Sequence, residues 1–241
     1  MVVAVWAGSA SAGIRLTYDD GKEPSETLIQ DGKLLQGSSL LTTVFNCKGG
    51  QISVWSNQSK SYWQGGLDEV AATFAGAQQR VQKMMAGLPQ MSTKSAAPEK
   101  PRSLGAKKIA GYDANGYSIS FAPMPMMKIA EEVWLSADLE SEVNRELGSC
   151  DLRFDMPDMS ALSPGMGEMQ KSLAELQKEH GYVVSQSVNV GGRKTGSVLQ
   201  KVEHVALAAA QFNPPAGYKR ESSYGAFLND AVPGSGAMFQ G

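Results

Sequence analysis

The first third of the chain consists of short segments in which apolar and polar residues alternate. In the segment 13–20, Ile14, Leu16 and Tyr18 alternate with polar side chains, which is the period of a β-strand with two different faces. Asp20-Gly21 and Asp31-Gly32 are turn signals, because glycine readily adopts the positive φ of tight hairpin turns. Comparable segments follow at residues 27–30, 33–35, 42–47, 51–56 and 61–64. Short strands with regular turns predict an antiparallel meander with one apolar face and one face in water.

At residue 67 the apolar period changes from two to between three and four. Residues at this spacing share one stripe of a helix, so the segment predicts an amphipathic helix of about 20 residues that ends at Gly87 and Pro89. The stripe must be buried, and the preceding sheet offers a face for it. Its members are Leu67, Val70, Ala71, Phe74, Ala77, Val81, Met84 and Leu88.

A polar segment at residues 90–103 separates the two halves of the chain. It contains two prolines and has no apolar period, which predicts an exposed, mobile loop. The strands before it are too few to close a core of their own, so residues 13–220 are predicted to form one interrupted domain.

The second half alternates again between strand and helix patterns. The predicted elements are strands at 108–112, 117–121 and 129–135 with Asn115-Gly116 as a turn, helices at 138–147 and 164–179, and a hairpin over 182–190 and 195–207. Residues 221–241 are rich in Gly, Ser and Ala and are predicted to be a flexible tail, since ordering costs about 1–2 kcal/mol per residue.

The first twelve residues have the composition of the end of a secretory signal peptide. Residues 1–7 are apolar, and Ala10-Ser11-Ala12 matches the small-x-small cleavage pattern. No basic region precedes them, so we expect residues 1–12 to be a signal-peptide remnant whose start lies upstream. The alternative is a short buried strand. The first interpretation predicts an exported, periplasmic protein of the Gram-negative cell envelope.

The chain has two cysteines, Cys47 and Cys150. In an oxidising compartment an isolated pair often forms a disulfide, whereas the alternative is two buried thiols that pack as small apolar side chains. Neither cysteine belongs to a CxxC motif, so thioredoxin-type chemistry and zinc binding are poorly supported.

The charge balance excludes one class of partner. With 22 Lys and Arg against 24 Asp and Glu, the formal net charge is −2, so the chain lacks the basic field that nucleic acid requires. A polybasic anchor on a membrane surface is disfavoured for the same reason.

Methionine is the residue type that most suggests special chemistry. Of 12 methionines, several are clustered, and Met156/Met159 and Met166/Met169 have helical spacing that could present two thioethers to Cu(I). The alternatives are core filling and the lining of an apolar cavity, because the methionine side chain is flexible.

Other catalytic or metal-binding patterns are weak. His180 and His204 are far apart in sequence, there is no G-x-S-x-G motif, and Asp151, Asp155 and Asp158 have the context of a solvated turn. The sequence therefore predicts no enzyme, no cofactor and no metal site.

Three motifs resemble a bacterial exported family of unknown function. Gly111-Tyr112 followed by Tyr117 resembles its GY-x-x-x-x-Y pattern, and residues 133–139 resemble its VWLS-x-D-L strand end. Residues 212–218 resemble the F-x-x-PAGY at the end of the same family. Such domains are similar to the periplasmic lipoprotein carrier LolA.

This resemblance covers roughly residues 14–220 and implies an α+β fold. Its sheet would be a curved, incompletely closed antiparallel half-barrel, with helices over the concave side and acyl chains between them. The implied protein is a monomeric, non-catalytic carrier whose partner is an apolar small molecule or lipid. The alternative is an envelope interaction protein with a solid core and a protein partner. In the carrier model the ligand would contact Leu67, Val70, Phe74, Val81, Met84 and Trp134.

Overall fold

The alternating segments form strands, and the segments with a helical period form helices. The structure, a computed structural model, describes residues 12–38, 40–85, 99–124, 127–148 and 164–232. The first meander comprises β1 (Gly13–Asp19), β2 (Pro24–Gln30), β3 (Lys33–Gly37), β4 (Leu41–Asn46), β5 (Gln51–Ser56) and β6 (Ser61–Gly66). The later strands are β7 (Arg102–Ile109), β8 (Tyr112–Met124), β9 (Met127–Ser136), β10 (Tyr182–Val190), β11 (Arg193–Val205) and β12 (Lys219–Arg220). The helices are α1 (Leu67–Met85), α2 (Ala137–Leu147), α3 (Pro164–His180) and α4 (Tyr224–Ala231).

All of these strands belong to one sheet. Its order is β12-β6-β5-β4-β3-β2-β1-β11-β10-β9-β8-β7, and neighbours are antiparallel except β12, which is parallel to β6. The two meanders meet where β1 pairs with β11, with Ile14 opposite His204 and Leu16 opposite Val202. Within the described chain β7 and β12 lie at opposite ends of the sheet, so it is not closed into a barrel. The predicted α+β half-barrel is confirmed.

Helix α2 covers the middle of one face of the sheet, which we call the inner face. Its buried residues Leu139, Val143 and Leu147 pack on Ile14 and Leu16 of β1. The helix begins at Ser136, whose Oγ accepts from the Leu139 N–H, and it ends at Gly148. At the C-terminal end, the N–H of Gly32 in the β2–β3 turn donates to the Glu146 carbonyl at 2.8 Å. Both ends of α2 are therefore attached to the sheet.

The first meander is buried on both faces, which differs from the expected single wet face. After β11 the chain crosses the outer face through a 3₁₀ helix (Ala209–Phe212). Phe212 and Leu207 pack there on Leu28, Val44 and Trp55. In β5 every residue from Ile52 to Ser56 is buried, as expected of a strand covered on both sides.

The hairpin of β7 and β8 turns earlier than predicted. The turn lies at Ala110-Gly111, whose φ values are 48° and 91°, within the segment predicted as a strand. Asn115-Gly116, predicted as the turn, lies inside β8, where Gly116 pairs with Trp134. A Cβ at residue 116 would lie 2.7 Å from the Trp134 ring. Glycine is used here because an aromatic ring covers the backbone, and not because the chain reverses.

The segment predicted as a flexible tail contains a buried helix. In α4, Tyr224, Phe227, Leu228 and Ala231 lie on one stripe and pack with Trp63 against the inner face. Ser223 caps the helix, because its Oγ accepts from the Ala226 N–H. Immediately before α4, β12 covers the outer edge of β6. Residues 233–241 lie outside the described residues.

Two further predicted segments are only partly described. Of the predicted loop 90–103, residues 90–98 lie outside the described residues, whereas Arg102 already belongs to β7 and the Glu99 N–H donates to the Ser120 carbonyl at 2.8 Å. Residues 1–11 of the predicted signal-peptide remnant also lie outside them.

Cys47 lies in the turn between β4 and β5 and is disulfide-bonded. It packs against the cluster that contains Leu147, the last residue of α2. Its N–H donates to the carbonyl of Gly32, the residue whose own N–H bonds to α2. Cys150 lies outside the described residues, so its pairing with Cys47 stays a prediction.

We expect reduction of this bond to destabilise the fold strongly. A Cys47–Cys150 bond closes a loop of about 100 residues, for which the chain-entropy model gives about 4–5 kcal/mol. The measurement is urea unfolding with and without reductant, together with an intact mass two hydrogen masses lower in the oxidised form. In a Cys47→Ser variant, reductant should have no further effect. Equal unfolding midpoints of the wild type in both conditions would contradict the prediction.

A second prediction concerns α4. Phe227 is fully buried, so Phe227→Ala should reduce the free energy of unfolding by about 3–5 kcal/mol, as for other large core truncations. Asp230 is exposed on the same helix, and Asp230→Ala should change it by less than about 0.5 kcal/mol. Chemical denaturation of both variants makes the comparison, and similar effects would show that α4 does not dock.

Candidate functional site

A cleft opens on the inner face between α2, α3 and the sheet. Its volume is about 310 Å³, and it is partly open to solvent. The strands contribute Tyr18, Ser25, Thr27, Gln36, Tyr182, Val183, Gln186 and Ser197 to its lining. The helices and the residue before β10 contribute Glu140, Val143, Asn144, Leu147, Gln177 and Gly181.

The strand register explains why these residues share one face. Residues directly opposite one another in neighbouring antiparallel strands point to the same side of a sheet. Tyr18 lies opposite Ser25, Thr27 opposite Gln36, and Gln186 opposite Ser197. The pairing of β1 with β11 therefore brings together side chains as distant in sequence as Tyr18 and Ser197.

Helix α2 forms one wall of the cleft. Val143 and Leu147, four residues apart, give it an apolar strip, and Glu140 and Asn144 give it a polar strip beside the first. On another side of the helix, Glu142 accepts a hydrogen bond from the Tyr112 hydroxyl at 3.0 Å and lies 3.3 Å from His204 Nε2. Burial and this bond raise the pKa of Tyr112 to about 12.

Two tyrosines with buried hydroxyls line the cleft. The Tyr18 hydroxyl donates to the Val183 carbonyl at 3.1 Å. Burial is the main cause that raises the pKa of Tyr18 well above its usual value, and the neighbouring Tyr182 adds to it. Burial also raises the pKa of Tyr182 to about 12. Both phenols are therefore neutral hydrogen-bonding groups at physiological pH.

A buried carboxyl group lies beside the cleft. Glu131 of β9 is only 3% exposed and faces the inner side, opposite Val188. Gln186 Nε2 donates a hydrogen bond to Glu131 Oε1 at 2.5 Å. Burial raises the pKa of Glu131, although the Gln186 bond acts in the opposite direction.

The lining carries little charge. Among its described residues, Glu140 is the one acidic side chain, and none is Lys, Arg or His. Among the described residues of the whole chain, no group of three or more His, Cys, Asp or Glu side chains could hold a metal ion. The cleft is equipped to form neutral hydrogen bonds and apolar contacts.

The structure does not bring the ligand-contact residues predicted from sequence together at this cleft. Val70 and Phe74 of α1 pack against the cluster around Trp63 and Tyr224, and Leu67 is 45% exposed. Trp134 packs against the cluster under α2, with Lys107 Nζ 3.8 Å from its ring centroid. The side chains of Val81 and Met84 lie outside what the structure describes. The role of these six residues in binding stays a prediction.

The remaining candidates lie at separate places. His180 stacks on Tyr117 with ring centroids 4.5 Å apart, whereas His204 pairs with Glu142. Met169 packs under α3 against the cluster of Ile119 and Leu176. Met156 and Met159, and the acidic residues around them, lie outside the described residues, as does the side chain of Met166. The copper interpretation therefore stays a prediction.

Comparison with known proteins gives likenesses to solved structures at low sequence identity. No family model and no curated protein matches the sequence. The chain is similar to PNGF-II, with a TM-score of 0.41 and 11% identity over 91% of this chain and 32% of that one. It is similar to MucB in complex with MucA(peri), with a TM-score of 0.33 and 12% identity over 86% of this chain and 56% of that one.

A third likeness is to the lipoprotein LppX of Mycobacterium tuberculosis. Its TM-score is 0.29, with 10% identity over 79% of this chain and 85% of that one. The chain spans about a third of PNGF-II and just over half of MucB. None of the described helices is long and apolar enough to cross a membrane.

The buried tyrosines predict an alkaline limit to stability. Folding favours the neutral phenol of Tyr182, so this residue contributes to the free energy of unfolding. The contribution is fully present below pH 10 and is lost as the pH rises towards about 12. Tyr182→Phe cannot ionise, so its alkaline unfolding midpoint should move to higher pH. Across this pH range, circular dichroism measures unfolding and phenolate absorbance measures the ionisation of tyrosine. Tyr218→Phe, which alters a hydroxyl bonded to Asn57 on the outer side, is the control and should leave the midpoint unchanged.

Proposed function

We propose that this chain is a non-catalytic binding module of the periplasm that holds an amphipathic ligand, one with an acyl chain or other apolar part, in the inner-face cleft. The observation that carries the proposal is the cleft between α2, α3 and the sheet, with its volume of about 310 Å³. Ligand pockets are concave, measure about 300–1,000 Å³, and combine apolar surface with a few convergent polar groups. This cleft is at the lower end of that range, which suits a small ligand or one end of a longer one.

The apolar part of the ligand would lie along α2 and β10. Val143, Leu147 and Val183 supply aliphatic surface, and the rings of Tyr18 and Tyr182 extend it. Each methylene group removed from water contributes about 0.8 kcal/mol. A short apolar segment therefore supplies enough free energy for binding without a charged contact.

The polar side of the cleft supports binding rather than catalysis. Apart from Glu140, its polar groups are amides and hydroxyls such as Gln36, Asn144 and Ser197. Such groups hold a ligand by hydrogen bonds and do not transfer protons readily at neutral pH. The disulfide at Cys47 is in keeping with an oxidising compartment such as the periplasm.

A second candidate is an envelope interaction protein without a ligand. It is favoured by the filled core elsewhere on the inner face, where Leu139 and Phe227 are fully buried. It is also favoured by β7, an edge strand whose residues are mostly exposed and which has one described neighbour, β8. The two candidates differ in whether the cleft is occupied when the protein is isolated.

Native mass spectrometry distinguishes the two candidates. The protein would be expressed into a bacterial periplasm and purified without detergent. We expect an added mass in the lipid range that organic solvent removes. A bare protein mass that also stays bare after incubation with lipid extract would favour the interaction protein.

Two variants locate the ligand. Ser25→Trp combined with Ser197→Trp places two indole rings in the cleft, so the added mass should fall at least tenfold in abundance. Leu67→Asp changes an exposed position on α1, outside the cleft, and should leave the added mass unchanged. Both variants should retain the wild-type circular dichroism spectrum. If only Leu67→Asp abolishes the added mass, the ligand lies on the α1 stripe instead.

A further inference from the structure

We propose that the cleft selects an uncharged headgroup that bears hydroxyls, and that Glu131 positions Gln186 so that the Gln186 carbonyl oxygen accepts a hydrogen bond from it. This inference rests on the proposed binding function and specifies the chemistry of the polar end of the ligand. It follows from the lining of the cleft and from the contact between Glu131 and Gln186.

The lining is suited to a partner that both donates and accepts hydrogen bonds. Three hydroxyls, four amides and two phenols line the cleft, and each of these groups can do both. The hydroxyl groups of a sugar or polyol have the same double capacity. The side chains are Ser25, Thr27, Ser197, Gln36, Asn144, Gln177, Gln186, Tyr18 and Tyr182.

An anionic headgroup fits the same lining poorly. Proteins bind phosphate and carboxylate groups with Arg and Lys side chains or with the N–H groups of helix termini. Among the described lining residues there is no cationic side chain, and the carboxylate of Glu140 would repel an anion. A cationic headgroup could pair with Glu140, which makes it the stronger competitor and a necessary part of the test.

The orientation of Gln186 follows from the chemistry of its neighbour. An ionised carboxylate has only acceptor atoms, so a glutamine beside it must present its NH₂ group. Gln186 Nε2 accordingly donates to Glu131 Oε1 at 2.5 Å. This leaves Gln186 Oε1 as the amide atom that can accept from a ligand, and Gln186 itself lines the cleft.

The burial of Glu131 argues against a purely structural role for this residue. Its side chain is 3% exposed, and among the described residues no Lys, Arg or His forms an ion pair with it. A neutral glutamine would fit the same space without the cost of burying a charge. A carboxylate adds what glutamine lacks, because it holds the Gln186 amide in one of its two orientations.

The test compares three compounds with the same octyl tail: octyl glucoside, octyl phosphate and octylamine, each below its micelle concentration. Calorimetry on the full chain should show octyl glucoside binding at least tenfold more tightly than the other two. Tighter binding of octyl phosphate or octylamine would overturn the inference. Equal binding of all three, abolished in Ser25→Trp/Ser197→Trp, would overturn it while leaving the binding function intact. Binding of none, or binding that this double variant does not alter, would remove both.

The positioning role is tested with Glu131→Gln. Loss of one oriented hydrogen bond should weaken octyl glucoside binding by about three- to tenfold. Since burial raises the pKa of Glu131, the neutral variant should melt no lower than the wild type at neutral pH, which separates positioning from folding. Glu132→Gln is the matched control on the opposite face of β9, where Glu132 pairs with Lys194 at 2.7 Å. Wild-type affinity in Glu131→Gln, or an equal loss in both variants, would overturn the role.

Discussion

The fold depends on the pairing of β1 with β11, because this contact turns two separate meanders into one sheet. Ile14 and Leu16 of β1 are 1% and 0% exposed, and they lie beneath α2 with neighbours from both halves. Closing such a long loop costs little more than closing a short one, since the entropy grows only with the logarithm of loop length. The favourable free energy comes only when apolar surfaces from both halves are buried together. Helix α2 therefore has no complete surface to pack on until β1 is in place.

Features that depend on neighbouring residues could be predicted from the sequence. The stripe of α1 and the hairpin at Gly191-Gly192 are local patterns, and the structure has both. Asn115-Gly116 has an equally strong local pattern and yet lies within a strand, because Trp134 covers Gly116 from β9. The sequence shows a glycine at residue 116, but it does not show whether a turn or a facing ring is the reason for it.

Features that depend on distant residues were missed, for physical reasons that differ. The stripe of α4 is visible at Tyr224, Phe227 and Leu228, but the Gly- and Ser-rich composition around it favoured a tail. This short helix is stable because Trp63 packs on it and Glu69 accepts from the Tyr224 N–H, and both come from the other end of the chain. The cleft could not be predicted because its polar residues meet only through the strand register. The apolar stripe of α1, a local pattern, favoured ligand contacts at that helix instead.

The inner face of the sheet is apolar in one region and partly polar in another. Where α4 packs, the sheet contributes Val54 and Trp63 to an apolar cluster with Tyr224, Phe227 and Leu228. Where α2 and α3 pack, the same face carries Thr27, which is 4% exposed, and Glu131. Buried polar groups are costly unless they are hydrogen-bonded, so a sheet selected only for stability would fill this region with apolar residues. The apolar region supplies stability, and the polar region lines the cleft, which is a distribution that suits the proposed binding module.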